Sequence, residues 1–156
     1  MDNHDDSKSV QTLAHEHIAL LLKQDTASTT LGITLLWADL GKCNLSLEVS
    51  QKMVQGHGIC HGGYLFMLAD TALAFAAQTH GNACVVSHAN IEFLLPARQG
   101  DLLIAKAREQ AKRKRNGLYD VGIYNQNDDV IALYRGKSHQ LVNPDIATKC
   151  LYYRCH

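Results

Sequence analysis

The sequence predicts an α+β fold in which an antiparallel sheet wraps around one long central helix. Three observations carry this reading. The stretch 64–77 is a single apolar run, rich in Ala and Leu and too long for an ordinary strand. Strand-like segments fall in two blocks, two before this run and four after it, instead of alternating with helices as in a doubly wound fold. The segments that follow Pro96 are joined by tight turns, which suit antiparallel neighbours. A helix that is apolar nearly all the way round needs cover on every side, and a curved sheet supplies it.

The elements follow in order. Residues 7–23 read as a helix: Val10, Leu13, Ala14, Ile18 and Leu21 recur at helical spacing, and Ser7 or Ser9 can cap its start. Residues 25–30 are polar and rich in Ser and Thr, and read as a connector. Residues 31–38 read as a strand, Asp39-Leu40-Gly41 as a turn, and 42–50 as the hairpin partner. In that partner Cys43, Leu45, Leu47 and Val49 alternate with Asn44, Ser46, Glu48 and Ser50. A glycine-rich passage, 55–63, opens into the central helix, which Gly81 ends. Four strands are then expected over 83–95, 101–113, 118–125 and 130–141. Asn116-Gly117 is the expected hairpin turn between the second and third of them, and Asn127-Asp128-Asp129 the next. The organisation is an N-terminal helix and connector over 1–30, one domain over 31–141 and a tail over 142–156.

Composition narrows the function classes. A chain of 156 residues, 46% apolar and 19% charged, suits one domain with an ordinary core. Fifteen basic residues balance fifteen acidic ones. That balance argues against nucleic acid and against an anionic membrane surface as partners. No stretch is long and apolar enough to span a bilayer, and the acidic N-terminus lacks the features of a secretory signal. Five cysteines (Cys43, Cys60, Cys84, Cys150, Cys155), an odd number without a C-x-x-C pair, read as reduced thiols of a cytoplasmic protein.

Asp70 is the only charged residue between Gly63 and Ala77. Burying a carboxylate costs several kcal/mol, roughly, unless something pairs with it. Two readings stand side by side: a structural carboxylate bonded to Thr71 or to another strand, and a general base or nucleophile in an apolar cleft. His61-Gly62-Gly63 stands where the helix begins, with free N–H groups and the positive end of the dipole. Such a turn can stabilise an oxyanion, or the glycines can simply permit a tight entry into the helix. Gly62 and Asp70 are eight residues apart, roughly 12 Å along one helix. A base and an oxyanion donor must both come within about 3 Å of one carbonyl, so one helix cannot supply both. Two antiparallel copies can, and the functional reading therefore requires at least a dimer with two equivalent sites.

Other clusters carry less. His57, Cys60 and His61 invite a zinc reading, but the passage is Gly-rich and offers no clear fourth ligand, so no metal is expected. Lys112 to Arg115 reads as a solvated hairpin tip, or, through Arg113 and Lys114, as a contact for substrate phosphates. Ser87, on the strand after the helix, can orient a water. Cys60 has no identifiable partner base that would make it a nucleophile.

The segment Gly56-His57-Gly58-Ile59-Cys60-His61-Gly62-Gly63-Tyr64-Leu65-Phe66-Met67-Leu68-Ala69-Asp70-Thr71-Ala72 resembles the signature of hotdog-fold acyl-CoA thioesterases, and among them the phenylacetate-degradation (PaaI) type. The resemblance continues through Asn90 to Ala97, Gly100-Asp101, Gly117 to Val121 and Arg135 to His139, and covers roughly residues 30–141 in order. It implies the hotdog fold and hydrolysis of a thioester between coenzyme A and a small aromatic acid such as a phenylacetyl or hydroxyphenylacetyl group. It implies that Asp70 activates water or attacks directly, and that the Gly62 N–H holds the thioester oxygen. His61 and Gln55 would position groups around the thioester, with Gln55 standing where relatives often carry Asn, and Ser87 would assist. Gly63, Tyr64, Leu65 and Leu68 would shape the substrate pocket. The family's subunits pair, and the dimers commonly associate into tetramers; no cofactor is implied. The alternatives are a hydratase or dehydratase on the same scaffold and a non-catalytic acyl-CoA binding module.

Overall fold

A computed structural model of the chain describes residues 3–142. Two helices, α1 (Asn3–Gln24) and α2 (Thr26–Leu31), precede the hairpin β1 (Thr34–Asp39) and β2 (Lys42–Glu48). A single 3-10 turn (Gln51–Met53) leads to the central helix α3 (Gly62–Gln78). Then come β3 (Cys84–Phe93), β4 (Leu102–Arg113), β5 (Asn116–Tyr124) and β6 (Val130–Gln140). The strands form one antiparallel sheet in the order β1-β2-β4-β5-β6-β3.

Helix α3 lies against the inner face of this sheet. Leu45, Ala105, Ile123 and Ala132 form one row across β2, β4, β5 and β6. Leu68, Ala69, Ala72, Leu73 and Ala76 of α3 join these four in the core, and all are closed to solvent. Small residues on both sides let helix and sheet approach closely, and each buried leucine contributes about 1.5–3 kcal/mol relative to an exposed one. Gly136 belongs to the same fit: a Cβ there would lie 2.7 Å from Leu73 Cδ1 and 3.0 Å from the His88 carbonyl oxygen.

The α+β arrangement and the strand order along the chain are as expected; several local expectations are corrected. Helix α1 begins at Asn3, so Ser7 and Ser9 lie inside it rather than at its cap, because no Gly or Pro interrupts residues 3–24. It buries Ala14, Ile18 and Leu22, whereas Val10 and Leu13 are exposed. The expected connector is α2. The Asp25 carboxylate accepts hydrogen bonds from the Ser28 N–H (3.0 Å) and hydroxyl (2.7 Å), and Gly32 closes the helix at φ 83°. Capping at both ends thus holds a Ser/Thr-rich segment helical against its modest propensity, and β1 starts later than expected, at Thr34.

The β4–β5 turn is Lys114-Arg115, not Asn116-Gly117: Arg113 pairs with Asn116, and Lys114 takes φ 55°. Asn116 and Gly117 belong to the ladder. The Asn116 amide meets His139 Nδ1 at 2.9 Å, and a Cβ at Gly117 would lie 2.6 Å from the Tyr119 ring. The glycine is required there by packing, not by a turn. Helix α3 ends at Gln78 with Thr79 as its cap, ahead of Gly81. The Thr79 hydroxyl donates to the Ala76 carbonyl (2.7 Å) and accepts the Gly41 N–H (2.8 Å), tying the helix end to the β1–β2 turn.

Nor is α3 covered all the way round. Gly63 and Phe66 are exposed, and Met67, Asp70 and Ala74 are half-buried along the same stripe. Apart from Val142, the expected tail over 142–156 lies outside the described residues.

Candidate active site

The loop before α3 is folded by its own hydrogen bonds. The Cys60 N–H donates to the Ala97 carbonyl and the His61 N–H to the Met53 carbonyl, each at 2.8 Å. The Gln55 side-chain oxygen accepts the His57 N–H, and the Gln55 N–H donates to the Ile59 carbonyl at 2.8 Å. This pins the chain so that His61 becomes the N-cap of α3. His61 Nδ1 accepts the Gly63 N–H at 2.9 Å, which places the proton of the neutral ring on Nε2. The Tyr64 N–H donates to the His61 carbonyl at 3.0 Å. The Gly62 N–H makes no hydrogen bond among the described residues, at the positive end of a 17-residue helix. The Phe93 ring leans on this glycine: a Cβ at position 62 would lie 2.9 Å from Phe93 Cζ.

Two turns further along the helix stands Asp70. Its Oδ1 accepts a 2.6 Å hydrogen bond from the hydroxyl of Tyr134 on β6. Its Oδ2 accepts none among the described residues. Tyr134 is 2% exposed, and its ring packs edge-on against Phe66 with centroids 5.3 Å apart. Burial, then the hydrogen bond to Asp70 and its charge, push the Tyr134 phenol well above its ordinary range, so it remains a proton donor. Asp70 opens into a crevice of about 560 Å³ between α3 and β3, walled by Phe66, Ala74 and residues 84–89. β3 is the last strand of the sheet, and among the described residues its outer edge is unpaired.

The thioesterase superfamily matches residues 57–132, the stretch that holds both the His61 cap and Asp70. The acyl-coenzyme A thioesterase PaaI of Escherichia coli (strain K12) is 40% identical over 128 residues, 82% of this chain and 91% of that protein. The chain belongs to the thioesterase superfamily. Its fold is the hotdog thioesterase fold, and the chain is a thioester hydrolase. The structure of the E. coli PaaI protein from the phenylacetic acid degradation operon matches it with a TM-score of 0.83 and 39% identity, covering 85% of this chain and 96% of that one. A variant of the phenylacetic acid degradation protein PaaI from Thermus thermophilus matches with a TM-score of 0.72 and 29% identity, covering 75% and 100%.

In this thioesterase the crevice brings together two of the residues singled out from sequence, Asp70 and Ser87. Ser87 sits at a bulge between Val86 and His88, and its hydroxyl donates to the Lys137 carbonyl at 3.3 Å. Gln55, His61, Gly62 and Gly63 gather at the other end, around the helix N-terminus. Tyr64 is half-buried with its ring 6.3 Å from His61. Leu65 and Leu68 are 3% and 0% exposed and belong to the core cluster. Arg113 and Lys114 are exposed at the β4–β5 tip, outside the crevice.

His57 and His61 share no helix face, since both precede α3, and no group of three metal-binding side chains forms among the described residues. Burial pushes the Cys60 thiol up to about 11 and the Cys43 thiol up to about 12, where neither supplies a thiolate at neutral pH. No described helix is long and apolar enough to cross a membrane. Two residues were not singled out from sequence: Phe66, which walls the crevice, and Tyr134, which bonds to Asp70 from β6. A signal for Tyr134 exists: it shares the inner face of β6 with Ala132, Gly136 and Ser138, the one large polar-tipped side chain among small ones.

Proposed function

We propose that this thioesterase hydrolyses coenzyme A thioesters of small aromatic acids at a site shared by two copies of the chain. The observation that carries the reading is Asp70: a half-buried carboxylate at a crevice between α3 and β3, with one oxygen tied to Tyr134 and the other without a partner among the described residues. Its counterpart is the unbonded Gly62 N–H, eight residues back on the same helix. At 1.5 Å per residue that is roughly 12 Å, too far for both to serve one carbonyl. Pairing two copies head to tail, across the open stripe of α3 and the free edge of β3, brings Gly62 of one against Asp70 of the other.

At such a site the thioester oxygen accepts the Gly62 N–H while Asp70 Oδ2 takes the proton from an attacking water. The tetrahedral intermediate then collapses, the carbon–sulfur bond breaks, and the proton passes to the departing thiolate. In the covalent variant Oδ2 itself attacks, the carbon–sulfur bond breaks and the thiolate leaves; water then opens the resulting anhydride, freeing the acid and the Asp70 carboxylate and supplying the proton that the thiolate takes up. Both courses use the same oxygen. His61 fixes the turn that presents Gly62, Gln55 holds the loop behind it, and Ser87 offers a hydroxyl to water at the crevice. Gly63 leaves the helix entry open to substrate, and Tyr64 packs beside it. Arg113 and Lys114 are available to the nucleotide phosphates. Phe66 gives an aromatic acyl group a ring to pack on. The E. coli relative, named an acyl-coenzyme A thioesterase and encoded in a phenylacetic acid degradation operon, supports the same substrate class.

The test is thiol release from a panel of aryl and fatty acyl-CoA thioesters by the wild type and by Asp70→Asn. Aryl substrates turn over fastest, and the variant loses about 1,000-fold, within the range of general-base catalysis, with its fold and assembly unchanged. Near-normal turnover by the variant refutes the role of Asp70, and an active monomer in sedimentation refutes the shared site.

A further inference from the structure

We infer that Tyr134 is a positioning residue of this hydrolase: its hydroxyl anchors Asp70 Oδ1 so that Oδ2 is aimed into the crevice. The inference rests on the reading of Asp70 as base or nucleophile and goes beyond it, since Tyr134 lies on a different element, 64 residues away in sequence.

An aspartate in mid-helix turns about two side-chain torsions, and a carboxylate half open to solvent is not held by packing. A single strong donor on one oxygen removes that freedom and fixes the direction of the other. Tyr134 is suited to be that donor. Its ring is clamped between Phe66 and the core, it stands opposite Val121 in the β5–β6 ladder, and its backbone belongs to an inner strand of the sheet. The hydroxyl is therefore carried by a rigid part of the fold, and its 2.6 Å hydrogen bond is directed at Asp70. Placement errors near 1 Å at a reacting group cost on the order of 100-fold in rate. Tyr134 itself need not touch the substrate: it acts through Asp70.

The experiment compares the wild type, Tyr134→Phe, Tyr134→4-aminophenylalanine and Asp70→Asn, with phenylacetyl-CoA as the probe substrate. For each, kcat and KM are measured beside the thermal midpoint and the assembly state. Tyr134→Phe keeps the ring and removes the donor; kcat falls about 10- to 100-fold while KM stays within about 2-fold and the variant stays folded. A merely structural role would move the thermal midpoint and leave kcat of the folded protein unchanged. The amino variant restores a donor at the same place and brings kcat back to within a few-fold of wild type. A folded Tyr134→Phe with unchanged kcat, beside an inactive Asp70→Asn, overturns this inference alone. So does a folded amino variant with no recovered turnover, which decides the question even if the phenylalanine variant does not fold. An Asp70→Asn variant that keeps turnover overturns the reading of the site and this inference with it.

Discussion

Among the described residues two carboxylates accept a hydrogen bond from a buried tyrosine, one in the middle of α3 and one beside His80 just past its end, and they are finished differently. Glu109 on β4 receives the Tyr119 hydroxyl and His80 Nε2 on one oxygen, both at 2.7 Å. Gly41 closes over it so tightly that a Cβ there would lie 2.9 Å from Glu109 Cβ. Burial pushes the Glu109 carboxyl up, but the hydrogen bonds from Tyr119 and His80 and the charges of His80 and Lys112 outweigh it and hold the group below the usual range. Asp70 has one donor among the described residues, and it lines a crevice. The difference teaches that an acid among apolar residues is not by itself a site. An acid held by donors from two other elements, with a glycine closed over it, ties those elements together; one held by a single donor beside open space can do chemistry.

The comparison breaks most visibly in turnover. Asp70→Asn loses about 1,000-fold, while Glu109→Gln keeps kcat within about 2-fold, both read by thiol release; an equal loss in the two variants abolishes the distinction. The two tyrosines sharpen it. Tyr119→Phe strips a donor from Glu109 and lowers unfolding free energy by about 1–3 kcal/mol in urea titration, with kcat unchanged, whereas Tyr134→Phe shows the opposite balance.

A smaller effect at Glu109 is read through pH. Because the folded Glu109 is held below its unfolded value, its contribution is complete above about pH 4.3. It is lost as pH falls through the lower folded value. Urea midpoints measured across this acid range fall less steeply in Glu109→Gln than in wild type, by under about 1 kcal/mol given the partial exposure of the pair. The smallest effect is at Asp120, whose carboxylate meets Arg135 through two bonds of 2.6 and 2.7 Å on the open face of the sheet. With side chains 39% and 59% exposed, Asp120→Asn leaves the urea midpoint where it was, since water already serves both partners.

What could be read from the sequence follows from the range of the forces involved. The α3 run, the alternation of β2 and β5 and the lone charge of Asp70 are local patterns, and the structure keeps them. Helix α2 was hidden because two caps, not its six residues, make it stable. The Asn116-Gly117 pair misled because Gly117 is there to admit the Tyr119 ring, a tertiary demand with the same local signature as a turn. The side of α3 that opens was equally hidden. In a helix apolar on all faces nothing distinguishes Leu65 and Leu68, which belong to the core, from Phe66, which lines the crevice. Tyr134 escaped for the plainest reason: its partner is 64 residues away.

The free edge of β3 has one more consequence. Ten residues of strand with one ladder unmet among the described residues, carrying exposed Val85 and Phe93, form a template on which an extended polypeptide can add itself. In the proposed paired assembly, the second copy is what shields that template. Dilution, the usual remedy against precipitation, would strip the shield away and hasten aggregation instead.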